Sequence, residues 1–316
     1  MAKIHITGGL GFIGSNLVRL LNKKGVTPYI YDKHINENWN NVAGLSFSLR
    51  PVNDLYFEPV GADDILIHLG ANVDTREKMN EGLWENNFTF TVLIAKRFSK
   101  VIYASSAATY GAEEENFKER IYSLKPLNAY GFSKWKLDEY FFGINAKPEQ
   151  RPKHIYALRF FNVYGPNEVY KGDMQSVVSK ALNKISPIYQ GEAIIDHEVR
   201  QKYSLFKSDR LGVADGEQMR DFIFVEDVCK VINFLSLHEV ESGIYNLGSG
   251  KARTFKDLIL AVNPEASISF VDMPNSLKGQ YQYFTQADMT KLRAAGYTAP
   301  FATLEEGVAK TKALTK

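Results

Sequence analysis

The turn Gly8-Gly9-Leu10-Gly11-Phe12-Ile13-Gly14 constrains the fold of this chain more than any other stretch. It follows a short apolar strand, Lys3-Ile4-His5-Ile6-Thr7, and leads into Ile13, Leu17, Leu20 and Leu21 at helical spacing, with Gly25 as the stop. Glycines allow a tight turn and close backbone approach. The free N–H groups and partial positive charge of a helix N-terminus then suit a pyrophosphate. A second strand, Pro28-Tyr29-Ile30-Tyr31, ends in Asp32, where an acid would meet the ribose hydroxyls of an adenine dinucleotide. An ordinary glycine turn is the plainer alternative, and the strand, helix and acid around it favour the dinucleotide.

Apolar runs recur at Ile65-Leu66-Ile67-His68-Leu69, Val101-Ile102-Tyr103-Ala104 and Ile155-Tyr156-Ala157-Leu158, separated by helical patterns. Strands that are apolar on both faces belong to a parallel sheet covered on both sides. The fold class expected is therefore α/β, a Rossmann doubly wound parallel sheet with a smaller α/β substrate-binding cap. Later strands are expected at Phe222 to Val225 and Ile244 to Leu247, and helices near 173–184 and 196–206. Residues 1–165 plus 221–247 would form the dinucleotide-binding domain, and 166–220 plus 248–316 the cap. Gly70-Ala71-Asn72 would fall at the carboxyl edge of the sheet, where such folds bind ligands. Asp54-Leu55, after the third strand, would lie against adenine, and Asn86 sits in a helix approaching the same edge.

Composition narrows the function. At 316 residues the chain accommodates one large α/β unit or two modest domains. A formal net charge of +2, with no basic block, gives no sign of a nucleic-acid partner. No apolar run approaches the roughly 20 residues that span a bilayer, and no signal peptide precedes the first strand, so a cytoplasmic enzyme is expected. The single cysteine, Cys229, reads as a core residue in a helix. The six histidines are scattered singly, His5, His68 and His154 in or beside strands, and imply no metal.

Chemistry is carried by Pro126-Leu127-Asn128-Ala129-Tyr130-Gly131-Phe132-Ser133-Lys134, where Pro126 and Asn128 mark a helix start. Residues four apart share a helix face, so the Tyr130 phenol and Lys134 ammonium can reach one site. A free tyrosine ionises near ~10, and a nearby cation pulls that value toward the working range. Upstream, the strand ending in Ser105-Ser106 offers two hydroxyls to the same substrate oxygen. Either of the two could point inward.

The G-x-x-G-x-x-G spacing together with Tyr130 and Lys134 resembles the extended short-chain dehydrogenase/reductases, the NAD-dependent epimerase/dehydratase family. Within it, several stretches are similar to the ADP-glycero-manno-heptose 6-epimerases. They are Ser105-Ser106-Ala107-Ala108-Thr109-Tyr110-Gly111, Arg159-Phe160-Phe161-Asn162-Val163-Tyr164-Gly165-Pro166, and, most discriminating, the segment from Pro274 through Lys278 and Tyr281 to Asp288 and then Leu292 to Tyr297. The resemblance implies inversion of a side-chain carbinol, C6 of an ADP-linked heptose, for lipopolysaccharide core biosynthesis. It implies tightly bound NADP, with NAD as the alternative, and a homo-oligomer, a pentamer.

By matching position, Tyr130 and Lys171 are the implied acid/base pair, with Lys134 and Ser106 supporting them. The implied cofactor residues are Gly8, Gly11, Phe12, Ile13, Gly14, Asp32, Lys33, Asp54, Leu69, Gly70, Ala71, Asn86, Lys134 and Val163. Those for substrate are Ser106, Asn162, Asp173, Lys180, Arg220 and Tyr281. Arg220 would clamp phosphate, an ion pair with Asp221 or Glu226 being the bland alternative. Tyr110, Tyr164 and Arg159 read as structural. Lys33 and Arg50 could attract a 2′-phosphate, whereas Asp32 suits the free ribose of NAD.

The chain departs from that pattern in three places. Asn72-Val73-Asp74-Thr75-Arg76 replaces a hydroxyl-rich stretch, Asp173 and Lys180 replace a small hydroxyl residue and a histidine, and residues 190–217 look like an insertion. A UDP-hexose 4-epimerase on the same scaffold therefore stays open. Ala107-Ala108 beside the serine argue against a dehydratase, and a non-catalytic NAD(P)-binding sensor is the remaining alternative.

Overall fold

The computed structural model describes residues 2–113, 115, 117–183, 202–275, 278 and 281–314. Strands β1 (Ile4–Thr7), β2 (Tyr29–Asp32), β3 (Ser48–Pro51), β4 (Ile65–His68), β5 (Lys100–Ser106) and β6 (His154–Phe160) each alternate with helical or 3-10 segments. With a later strand, Gly243–Leu247, they form a seven-stranded sheet. Its order is β3-β2-β1-β4-β5-β6 followed by that later strand, and every pairing is parallel. The order reverses beside β1, so a crevice opens at the carboxyl ends of β1 and β4.

β7 (Asn162–Tyr164), β8 (Lys202–Phe206) and β9 (Met219–Phe224) lie outside that sheet, as do β11 (Ala252–Thr254) and β12 (Ser267–Val271); Gly243–Leu247 is β10. β9 pairs with β7 in parallel and with β11 antiparallel, while β8 and β12 pair in parallel. The strand expected from Phe222 thus starts earlier and stops at Phe224, where Val225 opens a helix.

Helix α1 (Phe12–Lys23) buries Leu17, Val18 and Leu21, each worth roughly 1.5–3 kcal/mol on burial. α2 (Glu81–Trp84) runs through a π-helical turn, Glu85–Thr89, into α3 (Phe90–Ala95). α4 (Ala129–Phe142) begins as its sequence demands: the Asn128 side chain accepts the Gly131 N–H at 2.8 Å, a cap worth about 1 kcal/mol. α5 (Val177–Leu182) and α6 (Val225–Leu237) follow, and α6 packs Val228, Cys229, Val231 and Ile232 in the same core as α1. Cys229 is buried, as its place in an apolar helix face requires. A second core on the other side of the sheet joins Leu66, Val101, Tyr103, Leu137 and Phe141.

Two helices expected from the sequence need correction. The one near 173–184 is shorter, Val177–Leu182, because Gly172 (φ 52°) breaks the chain and Ser176 caps afresh by accepting the Ser179 N–H. Of the one near 196–206, the residues up to 201 lie outside the described part, and Lys202–Phe206 is strand. Its side chains alternate between inside and outside, buried at Tyr203 and Leu205, which is the period of a strand.

Candidate active site

The glycine turn is held by contacts that only glycine permits at two positions. Gly8 has φ +70°, and a Cβ there would sit 2.8 Å from the Gly70 nitrogen. A Cβ on Gly14 would lie 2.1 Å from the Gly8 carbonyl oxygen. The ends of β1 and β4 and the start of α1 are therefore drawn into one tight corner. Asp32 at the end of β2 locks it, accepting the Leu10 N–H at 3.0 Å and the His34 N–H at 3.1 Å. Thr7 Oγ1 accepts the Gly70 N–H at 3.1 Å and meets His68 Nδ1 at 2.6 Å, while His68 Nε2 meets Thr91 Oγ1 at 2.8 Å. Burial, helped by the Lys134 charge, drives the His68 pKa down to about 3. His68 is thus a neutral spacer between sheet and helix, in line with a structural histidine.

The residues expected to hold a dinucleotide are spread over the elements that follow the first strands and over β7. Gly8 and Gly11 lie in the turn, and Phe12, Ile13 and Gly14 open α1. Lys33 follows β2, its amine bonded to the Asn86 side-chain oxygen. Asp54 lies exposed in the 3-10 turn Val52–Tyr56, and Leu69, Gly70 and Ala71 follow β4. Asn86 sits in the π-helical turn, a feature that clusters at functional sites, and Val163 is in β7. Arg50 is paired instead with Glu58, which removes it as a free attractor of phosphate.

The second group sits where β5 ends and α4 begins. Ser105 is buried and donates to Asp138 Oδ2 at 3.0 Å, so its hydroxyl is spent inside the protein. Ser106 Oγ accepts the Ala108 N–H at 3.1 Å and also hydrogen-bonds Tyr130, pulling that phenol down. Burial pushes the Tyr130 phenol up and outweighs Ser106. The downward pull expected from Lys134 is supplied here by Ser106. Lys134 is 1% exposed, its Nζ finds no hydrogen-bond partner among the described residues, and burial lowers its pKa to about 8 against the opposing pull of Asp138. Asp138 also accepts from Tyr103 at 2.9 Å and from Arg159 Nε at 3.0 Å, and Arg159 lies 4.9 Å over the Tyr110 ring. Tyr110 and Arg159 are buried in this network, and Tyr164 is buried beneath the C-terminal segment with its hydroxyl on the Leu304 carbonyl.

The third group lies in the 3-10 segment Val169–Met174, on α5 and in the small sheet. Lys171 Nζ lies 3.2 Å from Glu168 Oε2 and 4.9 Å over the Phe12 ring. Glu168 is fully buried and also accepts from Gly165 N, Ser176 N and Ser176 Oγ, so it pins both ends of the segment. Asp173 reaches Arg76 at 3.4 Å across the crevice. Burial lowers the pKa of Lys180 on α5, and Arg76 and Lys171 press in the same direction while Asp173 opposes them. Three of the chain's departures from the expected pattern, Arg76, Asp173 and Lys180, therefore act on one another. Asn162 is exposed in β7. Arg220 on β9 is 6% exposed, lies 4.9 Å over the Tyr281 ring, and donates to the Met219 carbonyl. It makes no ion pair with Asp221 or Glu226: Asp221 is filled by Ser249, Gly250 and Ala287, and Glu226 pairs with Lys230.

These residues fit a dinucleotide. The N-cap residue of α1, Gly11, brings no side chain to the helix start, an acid stands at the end of β2, and the buried Lys134 amine lacks a partner among the described residues that ribose hydroxyls would supply. Sequence reasoning missed four residues: Asn87, Asp138, Glu168 and Tyr170. Asp138 was findable, four residues beyond Lys134 on the same helix face. Asn87 is wholly buried, accepts the Asn72 N–H at 2.8 Å and donates to Ser133 Oγ at 3.1 Å, tying the β4 loop to the Tyr130 helix. Nothing in the local sequence distinguishes it from Asn86. Tyr170 Oη accepts the Phe12 N–H at 2.6 Å, across 158 residues, which no local pattern reveals.

Comparison with known proteins agrees with this geometry. The sequence pattern of the NAD dependent epimerase/dehydratase family matches residues 4–248. An ADP-L-glycero-D-manno-heptose-6-epimerase of Fusobacterium nucleatum is 40% identical, covering 96% of this chain and 95% of that protein. Its counterpart from Nitratidesulfovibrio vulgaris is 38% identical, over 96% and 94%. Among solved structures, the ADP-L-glycero-D-manno-heptose-6-epimerase of Helicobacter pylori superposes with a TM-score of 0.76 at 26% identity, over 98% of this chain and 94% of that one. A UDP-N-acetylglucosamine 4-epimerase from Methanobrevibacter ruminantium gives 0.78 at 21% identity over 99% and 97%, a likeness of fold alone. No helix among the described residues is long and apolar enough to cross a membrane.

Proposed function

This chain belongs to the NAD dependent epimerase/dehydratase family, and from that premise we propose that it inverts C6 of an ADP-linked heptose. It is an isomerase acting on a nucleotide sugar. The observation that carries the substrate reading is the 40% identity to a heptose 6-epimerase across nearly the full length, with Ser106, Tyr130 and Lys134 gathered at one sheet edge. A UDP-hexose 4-epimerase has less support, since the neighbour of that kind shares only 21% identity.

A carbinol C–H is too weakly acidic for any side chain to take as a proton, and a bound nicotinamide supplies the hydride acceptor and donor that such an inversion needs. The chain's own residues manage the oxygen and its proton. Ser106 holds the reacting hydroxyl, and Tyr130 takes its proton as the carbon is oxidised to a ketone. Lys134, whose buried amine has no partner among the described residues, would hold the ribose. Lys171 serves the opposite face and returns a proton there once it leaves Glu168. Arg220, unpaired by any carboxylate among the described residues, clamps the diphosphate with Tyr281 above it. Asn162, Asp173 and Lys180 border the sugar.

The dinucleotide is NADP, whose 2′-phosphate Lys33 would hold. Residues 1–165 and 221–247 form the cofactor unit and 166–220 and 248–316 the cap. The assembly is a cytoplasmic homo-oligomer, a pentamer.

Incubating the protein with each C6 epimer of the ADP-heptose, and separately with UDP-hexoses, then resolving epimers by chromatography, tests the reading. Interconversion of the ADP-heptoses is expected. Product from UDP-hexose alone would overturn it. The mass of the nucleotide released on denaturation tests NADP, and NAD in its place would overturn that part.

A further inference from the structure

Segment 169–174 makes a contact that the reaction does not call for. Phe12 carries the first amide of α1, at the end of the helix where dipole and free N–H groups favour a phosphate. That N–H donates to Tyr170 Oη at 2.6 Å, a short and good hydrogen bond. An amide has one hydrogen, so the same group cannot serve Tyr170 and a phosphate oxygen fully at once. Tyr170 as a residue is 45% exposed, and its hydroxyl is the end that reaches inward to that amide.

The segment is built to let go at its tip and stay fixed at its base. Buried Glu168 ties Gly165 to Ser176, and Asn167 bonds Ser15 Oγ at 3.0 Å. Between those anchors, Gly172 takes a positive φ and an added Cβ there would meet nothing within 4 Å. The tip is held down by Tyr170 on Phe12, by Lys171 on Glu168 and over the Phe12 ring, and by the exposed Asp173–Arg76 pair, while Gln175 Nε2 donates to the Val169 and Gly172 carbonyls and keeps the turn in one piece.

We propose that residues 169–174 are a strap whose Tyr170 hydroxyl stands in for a dinucleotide phosphate oxygen at the start of α1, so that nucleotide capture and strap release are one event. Because Lys171 rides on the same strap, capture of the nucleotide also lifts this amine from Phe12 and Glu168 toward the sugar. In reverse, Tyr170 reclaims Phe12 as the nucleotide leaves, and so assists release. This inference rests on the dinucleotide reading above, and its test reads retention of the nucleotide rather than turnover.

The test is exchange of bound nucleotide from the full-length protein as purified, chased with excess unlabelled dinucleotide, in wild type and Tyr170→Phe. Loss of the competing hydroxyl should slow release by about two- to tenfold, the factor one net hydrogen bond carries. Release that is unchanged or faster overturns the strap while leaving nucleotide binding intact. A protein that neither carries nor takes up a dinucleotide overturns the proposed cofactor and the strap together. Hydrogen exchange in the wild type checks the same point without a variant. With dinucleotide bound, the peptide over 168–176 should exchange faster and that over 10–16 slower, and no change in 168–176 also overturns the strap.

Discussion

The two candidate acid/base groups are built in opposite ways. Tyr130 stands on a capped fourteen-residue helix, with Ser106 on its hydroxyl and a buried lysine one turn along. Lys171 stands in a kinked 3-10 segment, ion-paired to Glu168 and drawn over Phe12. The fold sets the first group in place before any ligand arrives. The second has to leave a carboxylate to work. The contrast suggests a division of labour, with chemistry prepared on the sheet side and recognition completed from the cap side.

The largest effect should separate them. Tyr130→Phe should lower kcat by about 10²–10⁴-fold with little change in KM, since only proton transfer is lost. Lys171→Met should instead change kcat and KM together, if that amine arrives with the strap as proposed. Identical kinetic signatures in steady-state assays would break the comparison.

Next in size is the support beneath the sheet side. Asp138→Asn leaves Arg159 buried without its carboxylate, and urea unfolding should show a loss of about 3–5 kcal/mol. A loss below ~1 kcal/mol would mean that the network is not what fixes the helix.

Lys134→Met should do the reverse, raising stability at pH 7 by about 1–3 kcal/mol while abolishing dinucleotide retention. The folded pKa of this lysine, about 8, lies below its ordinary 10.5. The unfolded chain therefore holds the proton more tightly, the penalty is fully present below pH 8, and it fades as pH rises toward 10.5. The gain from methionine should shrink over that window in thermal melts, and a gain independent of pH would show that the buried charge is not its source. Smallest of all, Arg76→Gln should move stability by less than ~1 kcal/mol, since both partners of its pair with Asp173 are exposed.

The sheet side was legible in the sequence, and the cap side far less so. Apolar runs long enough for a doubly covered strand gave β1, β4, β5 and β6. The Asn128 cap and the four-residue spacing gave the Tyr130–Lys134 face. These are local signals. The choice between Ser105 and Ser106 needed the position of Asp138, a partner 33 residues from Ser105. Lys202–Phe206 was missed as a strand because its charge masked an alternation that pairs only with distant Ser267–Val271. The Glu168 anchor and the Tyr170 contact depend on chain crossings that no window of sequence contains. Arg50 looked free by composition and is tied to Glu58 by a turn of the chain.

The link between β6 and β7 has a mechanical consequence. Phe160 ends a strand of the large sheet, Asn162 begins one of the small sheet, and only Phe161 lies between them. That residue is 6% exposed and its N–H is bonded to the Leu247 carbonyl at 3.0 Å. A leash one residue long, clamped at its middle, gives the small sheet no room to swing like a door on the large one. If residues 169–174 act as proposed, opening and shutting of this crevice falls to that flap and leaves the walls still.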